Sequence, residues 1–318
     1  MILVCDHRGS GLEELLRPLA GTRLELSVTR SPRETRAALV ALRPALVVID
    51  PVSGRGQVEL EELERSRRAG ERTPVLLVCD PSDPLASLEA ARALRSRTWD
   101  LVYRSAPVEE YLVRIERLMQ QVEELDELEE MRWRAAHDDR TELLRPLFFQ
   151  ARLVEHVSAA QRHGLPLALI LCDLDDFGQI NKQFDHTIGD EVIARVGQTI
   201  RANLRAEDVA GRMGGDEFAV LLPYTKPIDA ARTVNRLRDT IHALSGELGT
   251  DRRFVPVSAS IGFETMGQQG DLEPDSHLRL RLNAERALRR AKVMGGNRGV
   301  YHRSGVQELR EGQDGPRG

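Results

Sequence analysis

Two short stretches set carboxylates against an apolar run. In "LPLALILCDLDDF" (165–177) the run ends in Asp173, Asp175 and Asp176. In "GRMGGDEFAVLLP" (211–223) Asp216 and Glu217 follow a Gly-Gly pair and lead into a second run. If the two strand ends are neighbours, Asp173 and Asp216 make a paired oxygen site suited to Mg²⁺ or Mn²⁺. Such cations are ordinarily held by one or two carboxylates together with substrate phosphates, the arrangement of nucleotidyl transfer. Gly214 and Gly215 permit the positive φ of a tight turn and let a phosphate or base approach the backbone with no Cβ in the way. One acid-rich strand end is also what a solvated loop looks like. Two of them, one on a glycine turn, point to a metal–nucleotide site.

The elements that must position these residues follow from the patterning. Residues 165–177 read as a strand, 188–204 ("IGDEVIARVGQTIRANL") as a helix and 211–223 as a hairpin. "RFVPVSASIGFE" (253–264) supplies a further strand element, and "LRLNAERALRRAKVMGGN" (280–297) a closing helix. Upstream, five short apolar runs ("MILVCD", "LELSVT", "ALVVIDP", "TPVLLVCD" and "WDLVY") alternate with helical patterns over the first 107 residues. Those helical patterns are "GLEELLRPLA", "SPRETRAALVAL", an acidic stretch after Pro51, and "PLASLEAARAL". That alternation predicts a parallel sheet covered on both faces, with Asp6, Asp50 and Cys79 along the edge where ligands bind such sheets. Between the halves, 108–137 is a continuous helical pattern in which Ile115, Leu118, Val122 and Leu125 are spaced 3-4-3, shifting through Leu128 and Met131. It predicts a short parallel coiled coil with a stutter, against the alternative of one amphipathic helix lying on a domain.

A chain of 318 residues is long enough for two domains, and its 41% hydrophobic and 30% charged residues are ordinary for a globular protein. A net charge of −5 and only 4% aromatics argue against nucleic acid or an anionic membrane as partner. Cys5, Cys79 and Cys172 lie far apart in apolar runs, without disulfide or zinc spacing, and read as reduced core residues. With "MILVC" too short for a signal peptide and no run of membrane-spanning length, the expected location is the cytoplasm.

"RMGGDEF" resembles the signature of the diguanylate cyclase (GGDEF) family, and "DLDDFGQINKQFDHTIGDEVI" is similar to that family's Asp-x-Asp-x-Phe…Asn…His…Gly-Asp segment in order and spacing. Gly189-Asp190, "SASIGF" and "AERALRRAKVMGGN" continue the match, which covers about half the chain. The resemblance implies a palm-like α/β domain with a mostly antiparallel central sheet, one GTP per domain, and two domains facing each other to make cyclic di-GMP and pyrophosphate. Carried over, Asp173, the Leu174 carbonyl and Asp216 hold metal, and Glu217 supports the metal or helps deprotonate the 3′-hydroxyl. Asn181 and Asp190 read guanine, Lys292 contacts phosphate, and Phe177, Gly214 and Gly215 belong to the substrate site. "RAED", with Arg205 and Asp208 just before the hairpin, resembles the family's product-binding inhibitory Arg-x-x-Asp site.

Departures are also legible. The family's lysine after Phe177 is Gly178, the acid after Asn181 is Lys182, and the arginine of a Gly-Arg-Asn run is Gly296. The family's Asp-x-Leu-Thr-Gly-Leu-x-Asn-Arg-Arg segment survives as "DDRTELLRPLF", where Asp138, Thr141 and Leu143 match. Removing one charge-assisted hydrogen bond to phosphate costs on the order of 1.5–3 kcal/mol. The amino-terminal block resembles the receiver domain of response regulators, with Asp50 at the phosphoacceptor and Asp6 at one of the magnesium acids. That implies a histidine kinase or other signalling partner. His7, Cys79 and "YRSAP" depart from the receiver pattern, the last leaving Arg104 or Ala106 in the place of its lysine, and the loss of that lysine favours a pseudo-receiver used for dimerisation or docking. The expected architecture is a receiver-like (flavodoxin-like) doubly wound domain over 1–107, a helical coiled-coil linker over 108–137, a GGDEF domain over 138–302 and a disordered tail over 303–318. Two functions stay open: a product-inhibited cyclase under receiver control, acting as a homodimer, or a receptor for cyclic di-GMP or GTP.

Overall fold

The computed structural model describes residues 1–7, 10–21, 24–51, 73–83, 98–184, 186–248, 253–266 and 275–302, with Leu85, Glu89, Arg92 and Leu94. The acidic stretch after Pro51, most of the 84–94 helical pattern and the tail over 303–318 lie outside the described residues. The chain divides into two compact units, Met1–Met131 and Arg132–Gly318.

In the first unit, strands β1 (Ile2–Cys5), β2 (Leu26–Thr29), β3 (Leu46–Ile49), β4 (Val75–Cys79) and β5 (Trp99–Tyr103) are joined by α1 (Leu12–Leu16) and α2 (Pro32–Leu42) and lead to α3 (Val108–Ala136). They form one sheet of order β2-β1-β3-β4-β5 in which every pairing is parallel. Strand residues alternate between two cores, as a period of two requires when both faces are covered. Ile2, Val4, Leu46 and Val48 share one with Leu12 and Leu16 of α1 and Tyr111 of α3. Leu3, Cys5, Val47 and Ile49 share the other with Ala38 and Leu39 of α2. A capping box starts α2: the Ser31 hydroxyl accepts from Glu34 N–H, Glu34 reaches back to Arg30 N–H, and Pro32 fills the first turn. The strand order reverses between β1 and β3, which opens a crevice at their carboxyl ends.

One expectation about α3 needs correction. Ile115 and Leu118, the first two members of the coiled-coil stripe, are fully buried in the first unit's core. The apolar face still open begins later, with Leu125, Leu128 and Met131 exposed.

The second unit is built on β6 (Leu167–Leu174), β7 (Val209–Gly214), β8 (Glu217–Pro223), β11 (Ala259–Met266) and β12 (Gly299–Tyr301), in the order β12-β11-β6-β8-β7. All neighbours are antiparallel except β11 and β12. A separate ribbon pairs β9 (Gly246–Leu248) with β10 (Arg253–Val255). On one face, α4 (Pro146–His163) and α8 (Ser276–Val293) contribute Phe149, Leu153, Leu280 and Ala284 to a core with Leu167 and Leu169. On the other, α5 (Phe177–Phe184), α6 (His186–Ala202) and α7 (Pro227–His242) cover Ala168, Ile170, Cys172 and Leu174 with Ile180, Val192 and Val234. Asp173 has the parity of Leu167 and Leu169, so the β-pleat turns its side chain towards α8.

Candidate functional site

The two acidic strand ends are neighbours. Asp173 lies opposite Glu217 in the β6–β8 register, and Gly214 lies opposite Glu217 across β7 and β8. Gly215 turns the hairpin at φ 51°, a conformation that favours glycine, and Asp216 follows it. Asp173 is buried, and Lys292 Nζ at the end of α8 stands 2.6 Å from its Oδ2. Burial pushes the Asp173 carboxyl above its ordinary value; Lys292 opposes this, while the charges of Asp216 and Glu217 add to it. The sequence expectation set Lys292 on phosphate, whereas here it neutralises Asp173. A divalent cation fits this donor set, because three crowded acids with one displaceable ammonium lack positive charge. Among the described residues no group of three or more His, Cys, Asp or Glu is arranged to hold a metal. A cation held by Asp173, Asp216 and the Leu174 carbonyl would therefore need further oxygens from outside the chain.

The expected guanine readers lie on the adjoining helices. A Cβ on Gly189 would come 1.9 Å from Asn181 Oδ1 and 3.3 Å from Phe177 Cζ, so this glycine is what lets Asn181 and Phe177 of α5 close against α6. Asp190 is the next residue on α6, and its Oδ2 lies 2.8 Å from Arg140 Nη2. Asp175, one of the strand-end acids, is structural: it accepts hydrogen bonds from Ser258 Oγ (2.8 Å), Ser260 Oγ (2.6 Å) and Asn297 N–H (2.8 Å). Gly296 packs against it at φ 72°, and a Cβ there would approach Asp175 Oδ1 to 2.9 Å. At Gly178 a Cβ would meet nothing within 4 Å.

Arg212 is a link that sequence reasoning missed. It donates to Gly215 O (2.7 and 3.0 Å) and to both Asp138 carboxylate oxygens (3.1 Å), tying the glycine turn to the segment that follows α3. Burial raises the Asp138 carboxyl, but bonds from Thr141 and Arg212 outweigh this and hold it below its ordinary value. Both residues stand in quoted motifs; nothing in their spacing says that they meet.

Just before β7, Asp208 accepts a hydrogen bond from Arg205 N–H at 2.9 Å. Burial, with help from Glu207, pushes the Asp208 carboxyl up against the charges of Arg205 and Arg236. Arg205 and Asp208 line a cavity of about 500 Å³ together with Arg152, His156 and Arg201. The cations of α4 and α6 were not anticipated, since they lie far from the Arg-x-x-Asp pair in sequence.

The sequence model described as "Diguanylate cyclase, GGDEF domain" matches residues 135–298. This chain belongs to the GGDEF family. It is 34% identical over 163 residues to the bifunctional diguanylate cyclase/cyclic di-GMP phosphodiesterase MucR of Pseudomonas aeruginosa, covering 51% of this chain and 23% of MucR. It is 30% identical over 237 residues to the response regulator PleD of Caulobacter vibrioides, covering 73% of this chain and 51% of PleD. The chain thus spans from about a quarter to about half of these curated relatives. Among solved structures, the coiled coil and GGDEF domain of DgcB from Caulobacter crescentus, in complex with c-di-GMP, matches with TM-score 0.55 at 26% identity, over 60% of this chain and 98% of that one.

Outside the GGDEF domain, Asp50 at the end of β3 is buried and Asp6 lies at the end of β1. Arg104 Nη2 stands 2.5 Å from Asp50 Oδ2, and its Nη1 donates to Ser10 O at 2.5 Å. Of the two residues that "YRSAP" offers in the lysine's place, it is Arg104 and not Ala106 that puts a charge on Asp50. Asp6 accepts from the Leu12 and Glu13 N–H groups, each at 3.2 Å, and from the Ser10 hydroxyl, so it caps α1. Burial raises its carboxyl, yet these bonds and the charge of Arg30 bring it below the ordinary value. Cys5, Cys79 and Cys172 are buried in the core, and burial pushes the Cys5 thiol up to about 11.

Proposed function

We propose that this chain is a diguanylate cyclase that condenses two GTP molecules into cyclic di-GMP and pyrophosphate. The observation that carries the reading is the meeting of Asp173 with the Asp216–Glu217 turn, with Asn181 and Asp190 on the two helices that follow β6. Asp173, Asp216 and the Leu174 carbonyl would hold Mg²⁺ or Mn²⁺, which would supply positive charge for the α-phosphate. Glu217, exposed at the start of β8, takes the proton of the attacking 3′-hydroxyl or supports the metal ligands. Lys292 moves from Asp173 to phosphate oxygens, its long stem allowing the transfer. The Asn181 amide meets guanine's acceptor edge, and the Asp190 carboxylate accepts from its N–H donors. Phe177, packed with Asn181 against Gly189, belongs to the same site, and Gly214 and Gly215 leave the hairpin bare for the nucleotide.

Since each domain binds one GTP, the active form is a homodimer, for which the open face of α3 and the receiver-like unit are the proposed contacts. Arg205 and Asp208 bind the product and inhibit. The receiver-like unit takes the input signal from a histidine kinase or another signalling partner. Among the described residues no helix is long and apolar enough to cross a membrane, and we assign the reaction to the cytoplasm. Gly178 and Gly296 favour a second reading, in which a thinned phosphate grip leaves a receptor for cyclic di-GMP or GTP. Incubation of the purified protein with GTP and Mg²⁺, followed by chromatography, separates the two. Cyclic di-GMP that disappears in Asp216→Ala supports the enzyme. No product, with cyclic di-GMP binding that is lost in Arg205→Ala, sinks it.

A further inference from the structure

The residue facing the proposed guanine reader is an arginine from the segment that follows α3. Arg140 Nη2 stands 2.8 Å from Asp190 Oδ2, with both side chains about half exposed, 52% and 46%. The family's Asp-x-Leu-Thr segment has a leucine at the position that Arg140 occupies in this chain. The chemistry of the pair is specific. A guanidinium presents N–H donors side by side in a plane, and guanine presents its N1–H and N2–H₂ donors to a carboxylate in the same way. Arg140 holds Asp190 Oδ2, one of the two oxygens that a guanine seated on both would take. Asp138, two residues earlier, is held by Arg212 and by the Thr141 N–H and hydroxyl, so the backbone that carries Arg140 is fixed beside α6. Beyond that fixed backbone the Arg140 side chain pairs with the half-exposed Asp190 carboxylate.

We infer that Arg140 is a built-in competitor for the guanine site, a guanidinium that occupies Asp190 until the nucleotide displaces it. The inference rests on Asp190 being the guanine reader. An ion pair this exposed is a weak competitor, so the barrier it sets is small and screened by salt. Arg140 acts on binding and not on the chemical step: its removal lowers KM for GTP and leaves kcat alone.

The test is calorimetric titration of the full-length protein with the α,β-methylene analogue of GTP in Mg²⁺. Four forms are compared: wild type, Arg140→Leu, Asp190→Ala and the double variant. Thermal unfolding of each checks that the fold is kept. Arg140→Leu is expected to bind about two- to fivefold tighter than wild type. The ratio should fall towards one as salt rises from about 0.05 to about 0.5 M. In the Asp190→Ala background the same substitution should change nothing. Equal or weaker binding by Arg140→Leu overturns the inference, as does a gain that persists without Asp190. If Asp190→Ala alone leaves the affinity unchanged, the guanine-reader assignment has failed. If it weakens binding while Arg140→Leu brings no gain, only the role of Arg140 has failed.

Discussion

Each unit of this molecule ends a buried strand in a buried aspartate with a cation on it, and the two sites differ in whether that cation can leave. Asp50 and Asp173 are equally buried, at 6%. On Asp50 sits the Arg104 guanidinium, tied at its other end to Ser10 O. On Asp173 sits the ammonium of Lys292, 47% exposed and held at one point. A planar fork bonded at both ends is costly to displace, whereas a single charge on a flexible stem gives way to a competing cation or phosphate. The neighbours differ in the same sense. Asp6 is already spent on the N–H groups of α1, while Asp216 and Glu217 crowd Asp173 on a bare glycine turn. Burial of a strand-end acid does not make a site; a displaceable counter-charge and acids left uncommitted do.

The largest effect expected separates the units outright. Asp173→Ala or Asp216→Ala should reduce cyclic di-GMP formation at least about a hundredfold, while Asp50→Asn leaves the rate within about twofold, as measured by product chromatography. Comparable losses in all three would break the contrast.

Stability should run the other way. Arg104→Ala takes the guanidinium away from a buried carboxylate and is expected to cost the first unit about 1–3 kcal/mol in urea denaturation. Lys292→Ala removes a half-exposed ammonium held at one point and should cost the second unit less than about 1 kcal/mol.

Next come the two glycines that stand where the family has cations. Gly178→Lys meets open space and should lower KM for GTP about threefold or more, from one regained charge-assisted hydrogen bond. Gly296→Arg must place a Cβ against Asp175 at a positive φ, so it should bring no gain and lower the melting temperature. Equal gains at both positions would refute the packing argument.

The smallest effect is one of pH and tests what the two units share. Asp6 and Asp138 are both held below their ordinary pKa by hydrogen bonds and a nearby arginine, against the pull of burial. A carboxyl lowered by folding contributes stability above its unfolded pKa and loses it as pH falls through the lower folded value. Asp6→Asn and Asp138→Asn should therefore each be less stable than wild type near neutral pH. The gaps should close in acid, below the ordinary carboxylate range, in urea melts taken at several pH values. A gap that stays constant with pH would assign the loss to packing.

Much of the candidate site was legible because its pieces are local. The Gly-Gly pair and the acids after it announce a turn, and the apolar runs on either side announce strands. The acid after "LALILC" therefore had to stand at a strand end, beside the hairpin if the strands pair. The arginines were not legible. Arg104, Arg140 and Arg212 reach Asp50, Asp190 and Asp138 across long separations in sequence, and no periodicity marks which acid each one meets. Ile115 and Leu118 were misread for a related reason: a 3-4 spacing fits a helix buried on a sheet as well as one buried on another helix.

By itself the sequence determined the two α/β units, the parallel and mostly antiparallel sheets, membership of the GGDEF family, and which acids and amides stand at strand ends and helix starts. The family and its mostly antiparallel sheet came with the resemblance of "RMGGDEF" and "DLDDFGQINKQFDHTIGDEVI" to a known signature; the rest follows from side-chain alternation, helical periodicity and turn-forming glycines, all of which act over a few residues. Only the tertiary structure decided the partners: a fork closing Asp50, a lysine lightly covering Asp173, an arginine on Asp190, and Asp175 given to the turn at Gly296. Long charged side chains find their partners through space, after the backbone has brought distant segments together, and there the difference between a closed crevice and an open site is made.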